Sequence, residues 1–139
     1  MSSERSLDES ILEQLAEAVV FADRGGVIRR WNAAATAMFG FTAAEAIGQR
    51  LDLIIPEHLR EAHWRGFDLA VAQGRTRLGG RPTLTRALHR SGRKLYVEMS
   101  FALVVDGGGV AQGSVAVARD VTERVERDKS ARTGATAWR

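Results

Sequence analysis

Arg93-Lys94-Leu95-Tyr96-Val97-Glu98-Met99-Ser100-Phe101-Ala102-Leu103-Val104-Val105 is the stretch whose reading decides the fold. Leu95, Val97, Met99, Phe101 and Leu103 alternate with Lys94, Tyr96, Glu98, Ser100 and Ala102, and a period of two predicts a strand with one buried face. Ser91-Gly92 just before it is a turn signal, so residues 83–89 read as its hairpin partner. Downstream, Asp106-Gly107-Gly108-Gly109 reads as a loop into a last strand over residues 110–119. Upstream, two short apolar runs at 18–23 and 27–31 flank Gly25-Gly26 and read as another hairpin. A helical block separates this first hairpin from the three later strands. That order predicts an α+β domain, an antiparallel sheet with its helices on one face.

The helical block carries its own punctuation. Asn32 is placed as an N-cap and Gly40 as a C-terminal stop. Thr42-Ala43-Ala44-Glu45 has capping-box spacing and opens a short helix ending at Gly48, and residues 52–55 add a turn. Pro56 then starts a longer helix that runs to Gly74, with Glu57 at its positive pole. Leu59, His63, Phe67 and Ala70/Val71 put one imidazole on an otherwise apolar face. Gly66, three residues on from His63, is expected on that face, giving room beside the ring. Residues 7–17 read as an N-terminal helix with Leu7, Ile11, Leu12 and Leu15 on one side. Val121 and Val125 begin an exit helix, and residues 131–139 with Trp138 read as a tail.

Composition narrows the function classes. The chain has 139 residues, 45% hydrophobic and 27% charged, and a net charge of +3, the size and balance of one globular domain. It has no cysteine, which excludes disulfides, cysteine–zinc sites and thiol-dependent catalysis or photochemistry. No apolar run approaches the ~20 residues of a membrane helix, and the first residues lack a signal-peptide core, so a cytoplasmic protein is expected. Between Leu69 and Val97 there is no acidic residue, while Arg75, Arg77, Arg81, Arg86, Arg90, Arg93 and Lys94 fall there. No aromatic interleaving or helix-turn-helix accompanies them, so nucleic acid is not an expected partner. No nucleophile motif or paired acid/base spacing is present and no enzymatic activity is expected; the remote alternative has His63 or Glu98 as a base.

Several motifs together resemble the PAS domain family: Gly25-Gly26-Val27-Ile28-Arg29-Arg30-Trp31-Asn32-Ala33-Ala34-Ala35, Phe39-Gly40-Phe41, Glu45-Ala46-Ile47-Gly48, Ile55-Pro56-Glu57-His58, Arg90-Ser91-Gly92-Arg93 and Arg119-Asp120-Val121-Thr122-Glu123-Arg124. The resemblance covers roughly residues 8–127. It implies a PAS fold, a five-stranded antiparallel sheet of order 2-1-5-4-3 with helices on one face over a cavity. It also implies a sensory role, an exit segment that passes a signal to a downstream effector, and a homodimer. The expected organisation is a flanking helix at 1–17 that contributes to a dimer, a core at 18–120, and an exit helix start and tail at 121–139.

Within the family, the match is to haem-binding PAS domains of bacterial oxygen-sensing kinases and phosphodiesterases. Those carry a proximal histidine on the long helix after an Ile/Met-Pro motif, and His63 falls at that position. The resemblance implies haem b held by His63 as the iron ligand, with Gly66, Phe67, Arg81, Leu84, Met99 and Phe101 in the cofactor site. Met99 is a distal packing residue or a second axial ligand, and Arg75, Arg77 and Arg81 are cations for the propionates. The oxygen sensors have an arginine on the preceding strand, where the spacing from Ser91-Gly92 puts Thr83, with Arg81 two residues earlier. That departure leaves carbon monoxide, nitric oxide or redox sensing ahead of stable oxygen binding. The alternative is a haem-free PAS domain that dimerises or binds a small organic ligand in the same cavity. His58 lies about 140° around the helix from His63, too far to share a metal. His89 is expected in solvent, and Trp31 and Trp64 as packing residues.

Overall fold

In a computed structural model, which describes residues 5–74 and 80–137 and side chains as far as Arg132, every expected strand forms. The elements are α1 (Leu7–Gln14), β1 (Ala18–Asp23), β2 (Ile28–Trp31), α2 (Ala33–Phe39), α3 (Ala43–Ala46), a 3-10 turn (Leu51–Ile54), α4 (Glu57–Gln73), β3 (Thr83–Leu88), β4 (Lys94–Val105), β5 (Ala111–Asp120) and α5 (Thr122–Ala137). The strands make one antiparallel sheet in the order β2-β1-β5-β4-β3. The first and last strands of the core thus lie side by side at its centre. Arg75, Arg77 and Trp138 lie outside the described residues.

Strand alternation decides what the sheet turns toward its helices. Val20 and Ala22 of β1, Leu95, Val97 and Met99 of β4, and Ala118 of β5 are buried together with Ile28, Trp31, Phe39, Leu51, Ile54 and Phe67. Tyr96, on the opposite face, is buried as well: Lys129 of α5 donates to its hydroxyl at 2.6 Å, and its main chain holds Val121 and Thr122. Gly113 is the point of closest approach between β1 and β5, because a methyl there would overlap the Ala22 carbonyl.

The caps read in the sequence are present. Asn32 accepts from Ala35 N–H at 3.0 Å as the cap of α2, and the same oxygen accepts from Val19 N–H at 2.9 Å. Its amide nitrogen donates to the carbonyls of Leu12 and Glu17, so one buried side chain joins α1, β1 and α2. Thr42 and Glu45 form the capping box of α3. Glu45 also takes Arg90 from the β3–β4 turn at 2.7 Å, and its carboxyl is held below the usual range, first by the Thr42 N–H and then by Arg90.

Three expectations are corrected. The N-terminal helix stops at Gln14, with Leu15 already extended, and Leu7, Ile11 and Leu15 are exposed while Leu12 is half-buried. The exit helix continues to Ala137, through part of the stretch read as a tail; Ala131 and Ala135 are strong helix formers. His89 is half-buried rather than solvated: its Nδ1 accepts from Ser91 N–H at 3.0 Å, and its ring lies over Gly40.

Candidate functional site: a cavity beneath α4

Pro56 is the N-cap residue of α4 and Gly74 closes the helix in the left-handed conformation. Arg60 ties the first turns down by donating to the carbonyls of Ile55 at 3.0 Å and Asp52 at 3.3 Å. Trp64 is gripped on several sides. Its indole N–H donates to Asp52 at 2.7 Å, and the Arg50 guanidinium lies 4.4 Å over its ring. Its edge sits where any side chain at Gly26 would be, and Gly26 has φ +78°. The neighbouring His63 is set by this arrangement, its ring edge-on to Trp64 at 4.8 Å and tilted against Phe67 at 6.0 Å.

His63 faces a cavity of about 530 Å³ between the 3-10 turn, the start of α4 and the sheet, within the ~300–1,000 Å³ common for small-molecule sites. Leu51, Ile54 and Leu59 roof it, and Met99, Phe101, Ala116 and Ala118 lie on its floor. Burial pushes the imidazole below its ordinary value, against the opposing pull of Asp52 and Asp68, so it is neutral near pH 7. Its Nδ1 is fully buried with no hydrogen-bond partner among the described residues. Nε2 is not among the fully buried unpaired atoms, and the side chain lines the cavity.

Of the residues expected around a cofactor, His63, Met99 and Phe101 line this cavity and four others do not. Gly66 is exposed, and a methyl there would meet nothing within 4 Å, so the argument for room beside His63 fails. The buried direction is carried by Phe67, about 100° away on a helix of 3.6 residues per turn. Phe67 itself packs in the core behind His63, 5.3 Å from Trp64, rather than on the cavity wall. Leu84 is 56% exposed because β3 alternates, turning Thr83, Thr85 and Ala87 inward and Leu84 out. Arg81 precedes β3 and is exposed, off the cavity wall.

Sequence reasoning missed Ser114 and Thr85, and assigned Thr83 no contact of its own; all three bring hydroxyl-bearing side chains to the cavity. A signal for Ser114 was present. In Ser114-Val115-Ala116-Val117-Ala118 the small residues fall on one register and the valines on the other. Small residues turned inward leave the space that larger ones would fill.

Comparison with known proteins agrees with this architecture. An uncharacterised protein of Azorhizobium caulinodans is 31% identical over 117 residues, covering 84% of this chain and 16% of that protein. The sensor protein FixL of Bradyrhizobium diazoefficiens is 37% identical over 54 residues, 39% of this chain and 11% of FixL. The chain therefore spans only a small part of either relative. The crystal structure of a PAS domain from Colwellia psychrerythraea superposes with a TM-score of 0.73 at 22% identity, covering 84% of this chain and 95% of that one. The family model for the PAS fold matches residues 6–121, the stretch that builds the sheet, α4 and the cavity between them, and the chain belongs to the PAS family.

Proposed function

We propose that this PAS domain is a sensory module that binds haem b through His63 and responds to a diatomic gas or a change of redox state. The observation that carries the reading is a neutral imidazole on α4 that lines an apolar cavity, with Met99 on the floor of the same cavity. Neutral imidazole is the form that ligates a metal. The residues fit the group in donor type and in wall chemistry: His63 would hold the iron, Met99 and Phe101 would pack over it, and Ala116 and Ala118 leave a low floor. When bound, haem supplies an iron centre for gas ligation or electron uptake. His63 Nδ1 lacks the carbonyl or carboxylate that commonly supports a ligating histidine, a shortfall worth roughly 10–100-fold in affinity.

In this reading the domain performs no catalysis of its own, works in the cytoplasm as a homodimer, and passes its state to a downstream effector through α5. The exposed Leu7 and Ile11 of α1 support a dimer contact there. Among the described residues no helix is long and apolar enough to cross a membrane. A second reading, a haem-free domain holding a small organic ligand, is favoured by the hydroxyls of Ser114, Thr83 and Thr85 in the same cavity.

The test is the visible spectrum of the protein after addition of haem, wild type beside His63→Ala. A sharp Soret band lost in the variant, with the fold retained, is expected. Identical featureless spectra end the haem reading and leave the second.

A further inference from the structure

The floor of the cavity is not uniform. Ser114, Ala116 and Ala118 of β5 turn inward, and Ser114 is only 8% exposed, yet its hydroxyl makes no hydrogen bond among the described residues. Among the described residues the fully buried side-chain atom without a partner is His63 Nδ1, so the Ser114 oxygen is not shut in. The neighbours facing it across the ladders, Ala22 on β1 and Leu103 on β4, have no side-chain group to offer. The side chain lines the cavity, so an occupant of the cavity can supply the missing partner.

We propose that Ser114 is a ligand-anchoring residue, and that the natural ligand has an apolar body ending in an uncharged hydrogen-bonding group, a hydroxyl or carbonyl, that meets it. The inference rests on the second reading above, a haem-free cavity that holds a small organic ligand, because haem b ends in two carboxylates. An apolar body follows from the walls, which are Val20, Leu51, Ile54, Met99, Phe101 and alanines. An uncharged end follows from the absence, among the described side chains lining that region, of a cation to offset a buried carboxylate. The one basic residue on the cavity wall, Arg86, belongs to the exposed register of β3.

The far polar corner fixes the scale. Met99 pairs with both Ala118 and Thr83, so Ser114 and Thr83 are four residues apart along the strands and two strands apart across them. By strand spacing alone that is about 16 Å. A two-ring molecule held at Ser114 does not reach Thr83, so its binding reports the Ser114 end alone.

Probes that differ by one hydroxyl isolate the contact. Binding of 2-naphthol, naphthalene and 2-naphthoate is measured by amide chemical-shift titration in wild type, Ser114→Ala and Ser114→Cys. Wild type is expected to prefer 2-naphthol over naphthalene, and this preference falls about 3–10-fold in both variants. Comparing ratios removes the different hydrophobicity of the two probes.

A ratio unchanged by both substitutions overturns the anchoring role while leaving the cavity as a ligand site. Tighter binding of 2-naphthoate than of 2-naphthol overturns the uncharged end. Wild type that binds none of the probes overturns the inference, and so does a Soret band that is lost in His63→Ala, which would give the cavity to haem.

Discussion

Removing the Asn32 side chain is expected to be among the most damaging single changes available far from the cavity. Asn32 is 2% exposed and makes four hydrogen bonds, to Val19 N–H, Ala35 N–H and the carbonyls of Leu12 and Glu17. In Asn32→Ala the N-cap of α2 is lost, about 1 kcal/mol. Val19 N–H, in the buried β1 strand, loses a partner that water cannot replace, about 1–3 kcal/mol. The carbonyls of Leu12 and Glu17 lie near solvent and are rehydrated, so they add little. The sum is about 2–4 kcal/mol, a large share of the ~5–15 kcal/mol that holds a domain together. Urea unfolding followed by circular dichroism should show the midpoint falling by about 1–2 M for a slope near 2 kcal/mol/M. Asn32→Asp separates the two halves of the network, because it keeps the oxygen that accepts from Val19 and Ala35 and turns its second carboxylate oxygen toward two carbonyls. It should fall between wild type and Asn32→Ala. An alanine variant within 1 kcal/mol of wild type would refute the reasoning, since that outcome requires the Val19 N–H to be satisfied elsewhere.

Gly26→Ala should cost about 2–5 kcal/mol, because φ of +78° penalises a side chain and the new methyl meets the Trp64 ring; a melting temperature within 1 °C of wild type would contradict the described contact. Burial lowers the His63 pKa, so the unfolded chain binds its proton more readily than the native one. This group's contribution is therefore fully present above about pH 6.5 and declines as the pH falls toward the native value. The stability gap between wild type and His63→Gln should shrink or reverse between pH 7.5 and 5.5 in paired urea titrations, and a gap constant with pH would count against a buried neutral imidazole. The spectrum with haem and the naphthol ratio complete the set.

Much of the fold was legible because it is locally encoded. The caps Asn32, Gly40 and Thr42-Glu45, the Gly25-Gly26 and Ser91-Gly92 turns and the alternation through 94–105 each act within a few residues, and each appears where it was read. The resemblance carried the strand order, which no local pattern contains. Legibility faded wherever a residue's surroundings come from elsewhere in the chain. Leu84 could be placed on β3, but which register of that edge strand faces inward depends on its pairing with β4. Gly66 shares a helix with His63, yet its exposure depends on how α4 is rolled over the sheet, which Trp64 settles through Asp52 and Gly26. His89 looked like a hairpin-end side chain until the turn was seen to fold back on Gly40.

The amino-acid sequence by itself determined the elements, their caps and turns, the α+β class and the position of a lone histidine on the apolar face of its longest well-punctuated helix, since those follow from short-range sterics, hydrogen bonding and periodicity. Only the tertiary structure decided that small inward residues on β5 meet α4 across a void, and that Ser114 rather than Leu84, Gly66 or Arg81 shares that void with His63 and Met99. The reason is physical: a cavity is a property of packing between distant segments, and no local pattern states which surfaces will face each other or how far apart they will stand.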